Sequence, residues 1–466
     1  MTSDNSPSTT ESPEGFEHLL EYPLLNALLE RRSRRFSVGM EIEAGPTAYT
    51  SDRDPEPLTE TEQAVLTVAA CGITGPALAD WSYASDAGGN MMARFVGRTV
   101  SSPDAIQTMA MIVMDDEATW LARRPQDMSR EELAEVVKLT RDGEFLAAWQ
   151  TMRVKIADGR RAPPVEPPYN LAPNQWSLHA EGTTYFLPII ENTYSYINGL
   201  LELLSEREGF FVVDERRMFR PAGLSTFARS NGGHLDDDPN DGKIIPLGQL
   251  ERMGGELHAI EEGMSLQNLG LMCQAMGLTG FPHYSMHDEA WFEELGFRMG
   301  EMPLTRFAAV PRLPSAILNF KKQNPTMSYP LGLERDDEVL LQSYCPPYFD
   351  SMEAAVRSVV ADKFGQEGTY RGGDSGVYDD PDSDSGWKDP DGVTSEVPEI
   401  GEPAINATIA LCEYVWNQYG RFPATAPAFH TLMGFQAGHV DEGFYDRYYR
   451  YESLSDTHRK HRDRWH

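Results

Sequence analysis

The sequence contains little cysteine and no long apolar run. Its cysteines are Cys71, Cys273, Cys345 and Cys412, and no two of them form a CxxC pair. This spacing argues against a disulfide framework or a cysteine zinc site and favours free thiols in a reducing cytosol. No stretch of about 18 apolar residues is present, so we expect no transmembrane helix and no membrane partner. Residues 1–15 lack the features of a signal peptide and are predicted to be a disordered leader, which favours a cytoplasmic protein.

Basic residues and nucleotide-binding glycine motifs are also scarce. Lysine and arginine number 40 against 72 acidic residues, which gives a net charge of −32. Nucleic acids and anionic membranes repel such a chain, so we expect no nucleic-acid partner. The chain has no Walker A sequence, no Gly-x-Gly-x-x-Gly and no Gly-x-Ser-x-Gly. These absences argue against a separate dinucleotide-binding domain and against a hydrolase nucleophile elbow.

The apolar spacing predicts helices that alternate irregularly with few strands, which is typical of an α+β fold. In residues 57–75, Thr59 and Glu62 form a predicted capping box, and Gly72 lies near the end of the helix. Residues 250–280 are predicted to form a long buried helix. We further predict helices at 16–33, 129–159, 191–209 and 404–420, strands at 108–116, 183–190 and 210–214, a Pro-rich loop at 160–176, a surface excursion at 214–248 and a flexible loop at 365–400.

A basic cluster stands out against this acidic background. Arg31, Arg32, Ser33, Arg34 and Arg35 follow the first predicted helix and precede a glycine-containing loop. Guanidinium groups bind phosphate oxygens in a bidentate manner, and a serine hydroxyl adds a further donor. The alternative is a solvated basic patch that pairs with the many carboxylates of the chain. The sequence segments that follow the cluster favour the phosphate-binding interpretation over the solvated patch.

Three segments in a fixed order support that interpretation. The basic cluster is followed by GRTVSSPDAIQTMAMIVMDD at 97–116 and by LQNLGLMCQAMGLTGFPHYS at 266–285. Together they resemble the nitroreductase-like FMN-dependent oxidoreductase family, most closely its azoline-dehydrogenase-type subgroup. The resemblance implies a mixed central sheet flanked by helices and a homodimer. It also implies an FMN-binding domain at 16–335 with insertions at about 120–248, and a C-terminal extension at 336–466.

The resemblance also implies roles for individual residues. Arg31, Ser33 and Arg35 would hold the FMN phosphate, with Arg32 as a further basic contact. The Ser285 amide would donate to flavin N5, and Tyr284 would be a proton donor, unless Tyr284 is only a packing residue. Ser101 stands where the subgroup has proline, and Asp104-Ala105 where it has Ala-Gly. The full set of expected cofactor contacts is Arg31, Arg32, Ser33, Arg35, Ser101, Ser102, Gln107, Pro282, His283, Tyr284 and Ser285.

The aromatic C-terminal segment is predicted to cover the dimer and the substrate pocket. Phe429, His439 and Tyr445 are the candidates for reaching that pocket. The alternative is an aromatic helical extension that packs on the core. A His439-Asp441 pair and the terminal histidines of THRKHRDRWH could contribute metal ligands, but a metal site needs three or more that converge. We therefore expect no metal.

These observations predict an FMN-dependent oxidoreductase that transfers electrons through flavin N5 to or from a specialised small organic substrate. Long insertions favour a covered flavin and a specialised substrate. Two alternatives stay open. One is a nitro, quinone or ene reductase that uses NAD(P)H as its electron donor. The other is a non-catalytic scaffold or partner subunit that keeps the fold.

Overall fold

The computed structural model describes residues 14–78, 94–310, 312–366, 368–370 and 387–466. Its helices are α1 (Glu14–Glu21), α2 (Leu24–Glu30), α3 (Glu60–Cys71), α4 (Arg130–Asp142), α5 (Phe145–Met152), α6 (Thr193–Leu203), α7 (Leu247–Met276), α8 (Asp288–Glu294), α9 (Leu304–Phe307), α10 (Arg312–Phe320), α11 (Met352–Phe364), α12 (Pro390–Glu396), α13 (Glu402–Tyr419), α14 (Glu442–Tyr448), α15 (Asp456–Arg459) and α16 (His461–Trp465). Within these ranges no helix has the length and apolarity needed to span a membrane.

The strands form one large sheet and several small ones. They are β1 (Glu41–Ile42), β2 (Tyr49–Thr50), β3 (Ile73–Pro76), β4 (Val96–Arg98), β5 (Met109–Met114), β6 (Ala118–Ala122), β7 (Arg153–Asp158), β8 (Thr184–Glu191), β9 (Phe211–Asp214), β10 (Arg220–Pro221), β11 (Ile244–Pro246), β12 (Thr279–Tyr284), β13 (Arg298–Pro303), β14 (Thr326–Arg335), β15 (Glu338–Gln342), β16 (Phe429–His430) and β17 (Met433–Gly438). The protein is therefore a mixed α+β fold, as predicted.

The central sheet has the strand order β12-β17-β8-β5-β6-β7, with β16 also paired to β8. Its neighbouring strands run antiparallel. Every residue of β5 and β8 is buried, because both faces of the sheet are covered. Met109, Met111 and Val113 pack against the layer of α3, α4, α5 and α7. The alternate residues Ala110 and Ile112 pack toward α8, β14 and β15.

Helix α3 confirms its prediction from the sequence. The Thr59 side chain accepts a hydrogen bond from the Glu62 amide, and the Glu62 carboxylate accepts one from the Thr59 amide. The long helix α7, the buried strand β5 and the helix α13 are also present as predicted. All four cysteines are free and buried.

Several predictions need correction. Pro23 separates α1 from α2, because proline cannot supply the amide that a continuous helix needs. Residues 153–158 form the edge strand β7 rather than the end of a helix. The excursion at 214–248 is not purely superficial, since Leu224 and Leu235 are fully buried.

The C-terminal region also differs from the prediction. Strand β17 lies between β12 and β8, so a segment predicted as an extension supplies an interior strand of the central sheet. Within the predicted loop at 365–400, residues 390–396 form α12. Residues 367 and 371–386 of that loop, and 1–13 of the predicted leader, lie outside the described residues.

Candidate functional site

The arginine cluster lies where the chain leaves α2 and runs beside the central sheet. The Gly280 amide, in β12, donates to the Arg34 carbonyl at 3.0 Å, and the Val38 amide donates to the His439 carbonyl at 3.0 Å. These backbone bonds fix residues 34–38 between the start of β12 and the end of β17. The cluster and the 280–285 segment, far apart in sequence, are therefore neighbours.

The cluster opens onto a cavity of about 610 Å³. We call it the arginine cavity; its lining includes Arg32, Ser33, Arg34, Arg35, Trp176, Phe444 and Tyr445. Cavities of roughly 300–1,000 Å³ are typical of small-molecule and cofactor sites. The lining combines cationic groups and aromatic rings with one carboxylate, that of Glu452, and the excess of cationic groups suits a ligand that has both an anionic and a flat aromatic part.

Two guanidinium groups in this cavity lack an acidic partner. Arg34 is 4% exposed, and Arg35 is partly buried. Among the described residues their hydrogen-bond acceptors are all neutral, namely the Ser453 and Arg32 carbonyls, Gln274, Asn174 and Ser177. Arg35 Nε is buried and makes no hydrogen bond within those residues. Burial lowers the pKa of Arg35, and it lowers that of Arg34 to about 10. A bound anion would compensate the cost of burying these charges.

Aromatic side chains also line the arginine cavity. The Phe36 and Phe444 rings stack with centroids 4.2 Å apart. The Arg35 guanidinium lies 5.3 Å from the Trp176 ring centroid and 4.8 Å from that of Phe281. Tyr445 accepts a hydrogen bond from the Phe36 amide at 3.2 Å, and burial raises the pKa of its phenol to about 12. Tyr445, predicted as a pocket residue, thus lies on the arginine cavity.

The end of β12 alternates between exposed and buried residues. Pro282 and Tyr284 face outward, and Tyr284 is 62% exposed, whereas His283 and Ser285 are buried. The Ser285 amide donates to the Leu432 carbonyl at 2.8 Å. The prediction that this amide is the donor to flavin N5 is therefore wrong for this conformation, because strand pairing already uses it.

Buried polar atoms with few partners gather behind β12. Within the described residues, His283 Nε2 makes no well-directed hydrogen bond, and the Tyr185 and Ser285 hydroxyls have only each other as partners. The His283 and Tyr185 ring centroids are 5.1 Å apart. Burial lowers the pKa of His283 to about 4, and the nearby Arg35 charge acts in the same direction. His283 is therefore neutral near pH 7. Buried groups satisfied this poorly are uncommon and indicate a place for a ligand.

The structure does not bring every predicted residue to this site. Ser102 donates to Glu261 at 2.9 Å, and Gln107 donates to the Val96 carbonyl at 2.8 Å. With Ser101 they line a separate cavity of about 340 Å³. Arg31 is not among the residues that line the arginine cavity, and it lies beside Gly270 of α7. Gly270 is nine residues after Glu261, the partner of Ser102, so Arg31 and Ser102 are about 14 Å apart along the helix.

The C-terminal candidates are also divided. Phe429 is fully buried in the core, with its ring centroid 5.5 Å from that of Phe297. His439 lies beside Glu62 rather than on the arginine cavity. Trp176 and Tyr185 were missed by the sequence analysis. Trp176 is the last residue of the predicted Pro-rich loop, and Tyr185 belongs to a strand that is largely apolar, so no sequence signal distinguished them.

Comparisons with known proteins do not establish a family for this chain. No protein-family model matches the chain, and no curated protein matches it. Among solved structures, it is similar to a crystal structure from Ralstonia eutropha JMP134 described as a "putative nitroreductase". That match has 11% sequence identity, covers 63% of this chain and 80% of the other, and has a TM-score of 0.29. The description of that structure names the family that the sequence resembles and does not name the azoline-dehydrogenase-type subgroup. A similarity this low establishes neither the family nor the subgroup for this chain.

Proposed function

We propose that the arginine cavity binds FMN and that the protein is an FMN-dependent oxidoreductase acting on a small organic substrate. The observation that carries this proposal is the pair Arg34 and Arg35, which line the cavity and whose guanidinium groups have only neutral hydrogen-bond partners among the described residues, in a chain of net charge −32. In so acidic a protein, basic groups without carboxylate partners are best explained by an anion that comes from outside the chain.

The residues present fit the cofactor. Arg35, held by Asn174 at 3.0 Å and Ser177 at 2.6 Å, supplies a fixed guanidinium for a phosphate, and Ser33 lines the same cavity. The aromatic lining suits a flat ring system and excludes water. When bound, FMN supplies two-electron transfer, and the protein supplies binding and orientation. Ser101, Ser102 and Gln107 lie apart and are not assigned a contact.

Two side chains could handle protons. Tyr284 presents its phenol to solvent at the end of β12 and could donate a proton to a substrate that binds there. His283 is buried and neutral, and its Nδ1 donates to the Tyr284 carbonyl at 3.3 Å, so its Nε2 can accept one hydrogen bond from a ligand. Replacing Tyr284 with phenylalanine should slow the proton-coupled half-reaction by roughly a hundredfold and leave FMN bound.

We also propose a homodimer. Leu24, Leu25, Leu28 and Leu29 of α2 are between 51% and 66% exposed, immediately before the arginine cluster. A contiguous exposed leucine face of this kind marks an interaction surface. Light scattering should give the dimer mass for the wild type and the monomer mass for Leu28→Glu. A monomeric wild type would refute the dimer.

The test of the cofactor is the absorption spectrum of the purified protein, with mass identification of whatever is released on denaturation. Bound FMN, or uptake of one equivalent of added FMN, is expected. Anaerobic addition of NADH or NADPH then separates the alternatives, because bleaching of the flavin indicates a nicotinamide-dependent reductase. A colourless protein that takes up no FMN would overturn the proposal.

A further inference from the structure

Four potential metal ligands converge at a place that the proposed flavin chemistry does not use. Glu62 comes from α3, His439 follows β17, His461 begins α16 and His466 follows it. Their candidate ligand atoms all lie within 4.8 Å of one another. The sequence analysis expected no metal, because these residues are far apart in the chain and only the fold brings them together.

The distances suit a tetrahedral ion. Glu62 Oε2 is occupied by the Thr59 amide at 2.7 Å and the Thr59 hydroxyl at 2.9 Å. Glu62 Oε1 faces the histidines, at 3.3 Å from His439 Nε2, 2.9 Å from His461 Nε2 and 3.7 Å from His466 Nε2. Ligands at about 2.0–2.1 Å around a tetrahedral zinc ion are about 3.3 Å apart. Small shifts of the side chains would therefore complete the geometry.

The hydrogen bonds of two histidines turn their other nitrogens toward the centre. His439 Nδ1 lies 3.1 Å from the Glu56 carbonyl, and His461 Nδ1 lies 2.8 Å from the Met276 carbonyl. A carbonyl can only accept, so each Nδ1 carries the proton and donates it. In the neutral ring, each Nε2 then points a lone pair at the Glu62 carboxylate. This is the second-shell arrangement that orients metal-ligating histidines.

Burial makes this arrangement costly without a cation. The side chains of Glu62, His439 and His461 are 0%, 5% and 8% exposed. His461 Nε2 is buried and has no well-directed hydrogen bond within the described residues. Lone pairs and a carboxylate oxygen that face one another in a buried site repel, and a positive charge between them removes that repulsion.

We propose that Glu62, His439, His461 and His466 bind one structural divalent ion of the zinc type. Imidazole and carboxylate ligands suit zinc, and four protein ligands leave no open position for catalysis. His439 and His461 flank residues 440–460, which include Phe444, Tyr445 and Ser453 on the arginine cavity. The ion would therefore hold both ends of this segment in place, and the segment lines that cavity.

The experiment uses full-length protein carrying no polyhistidine tag. After treatment with a chelator, Zn²⁺ is titrated by calorimetry, Co²⁺ by visible absorption, and the thermal midpoint is measured with and without metal. One equivalent of Zn²⁺, the intense visible bands of tetrahedral Co²⁺, and a higher midpoint with metal are expected. His466→Ala should weaken Zn²⁺ binding at least tenfold. The His466 side chain is 21% exposed and lies at the edge of the cluster, so circular dichroism should show the fold intact.

His287→Ala is the matched control, because His287 is a histidine outside the cluster that pairs with a carboxylate at 3.5 Å. This variant should bind Zn²⁺ as the wild type does. The proposal would be overturned if the wild type took up no stoichiometric Zn²⁺ and its thermal midpoint did not change with chelator. The four side chains would then form a protonated imidazole–carboxylate cluster. Equal Zn²⁺ affinity in His466→Ala and wild type would also overturn the proposal. Neither outcome depends on whether FMN is bound.

Discussion

Replacing Arg35 with methionine distinguishes ligand binding from structural support, because the two roles predict different losses. Methionine keeps the aliphatic stem of the side chain but removes the guanidinium and its contacts with the Trp176 and Phe281 rings. It removes a charge whose hydrogen-bond partners, in the part of the chain that the structure describes, are Asn174 and Ser177. Replacing a poorly compensated charge by an apolar group of similar size is often neutral or stabilising. The unliganded variant should therefore lose less than about 1.5 kcal/mol of unfolding free energy.

FMN binding should respond strongly to the same change. A charge-assisted hydrogen bond contributes about 1.5–3 kcal/mol. Loss of one such bond to phosphate corresponds to roughly 10- to 150-fold weaker binding. Flavin fluorescence gives the dissociation constant, and chemical denaturation without ligand gives the stability.

Arg124→Met provides the control with the opposite expectation. Arg124 is buried and binds the Asp127 carboxylate at 2.8 and 2.9 Å. Removing it leaves a carboxylate without its partner, which should cost about 3–5 kcal/mol of stability. FMN affinity of the folded protein should not change. If Arg35→Met instead behaved like Arg124→Met, destabilised but with normal FMN affinity, Arg35 would be a structural residue and the phosphate assignment would be wrong.

Three further changes test the structure. Gly434→Ala would place a Cβ in steric conflict with the Tyr185 hydroxyl, so it should cost about 1–3 kcal/mol in denaturant unfolding, and Tyr185→Phe should restore part of that loss. Burial raises the pKa of Glu262 from 4.5 to about 7. The folded state therefore holds a proton that the unfolded state has released, and stability falls as pH rises through that window. Glu262→Gln should remove this loss, at most about 3 kcal/mol, in unfolding measured at pH 4.5 and 7.5; a constant difference between the proteins would contradict it. Ser351→Ala removes the hydroxyl that accepts from the Ala354 amide and should cost about 1 kcal/mol in denaturant unfolding, whereas no change would show that the cap is dispensable.

The sequence alone determined the elements whose signals are local. The Thr59-Glu62 capping box predicted the start of α3, and the apolar run at 108–116 predicted β5, because caps and side-chain periodicity depend only on neighbours in the chain. It also identified the arginine cluster, since the concentration of like charge at 31–35 is visible without coordinates. Residues 153–158 were missed as a strand because their pairing partner is β6, and strand pairing is not a local property.

Only the tertiary structure decided which of these elements and side chains lie in contact with one another. It inserted β17 between β12 and β8, which committed the Ser285 amide to Leu432 and made the C-terminal region part of the central sheet. It also brought Glu62 within reach of three histidines nearly 400 residues away in the chain. Such contacts arise from the packing of many apolar side chains, and the identities of the residues that meet are recorded in no single stretch of the sequence.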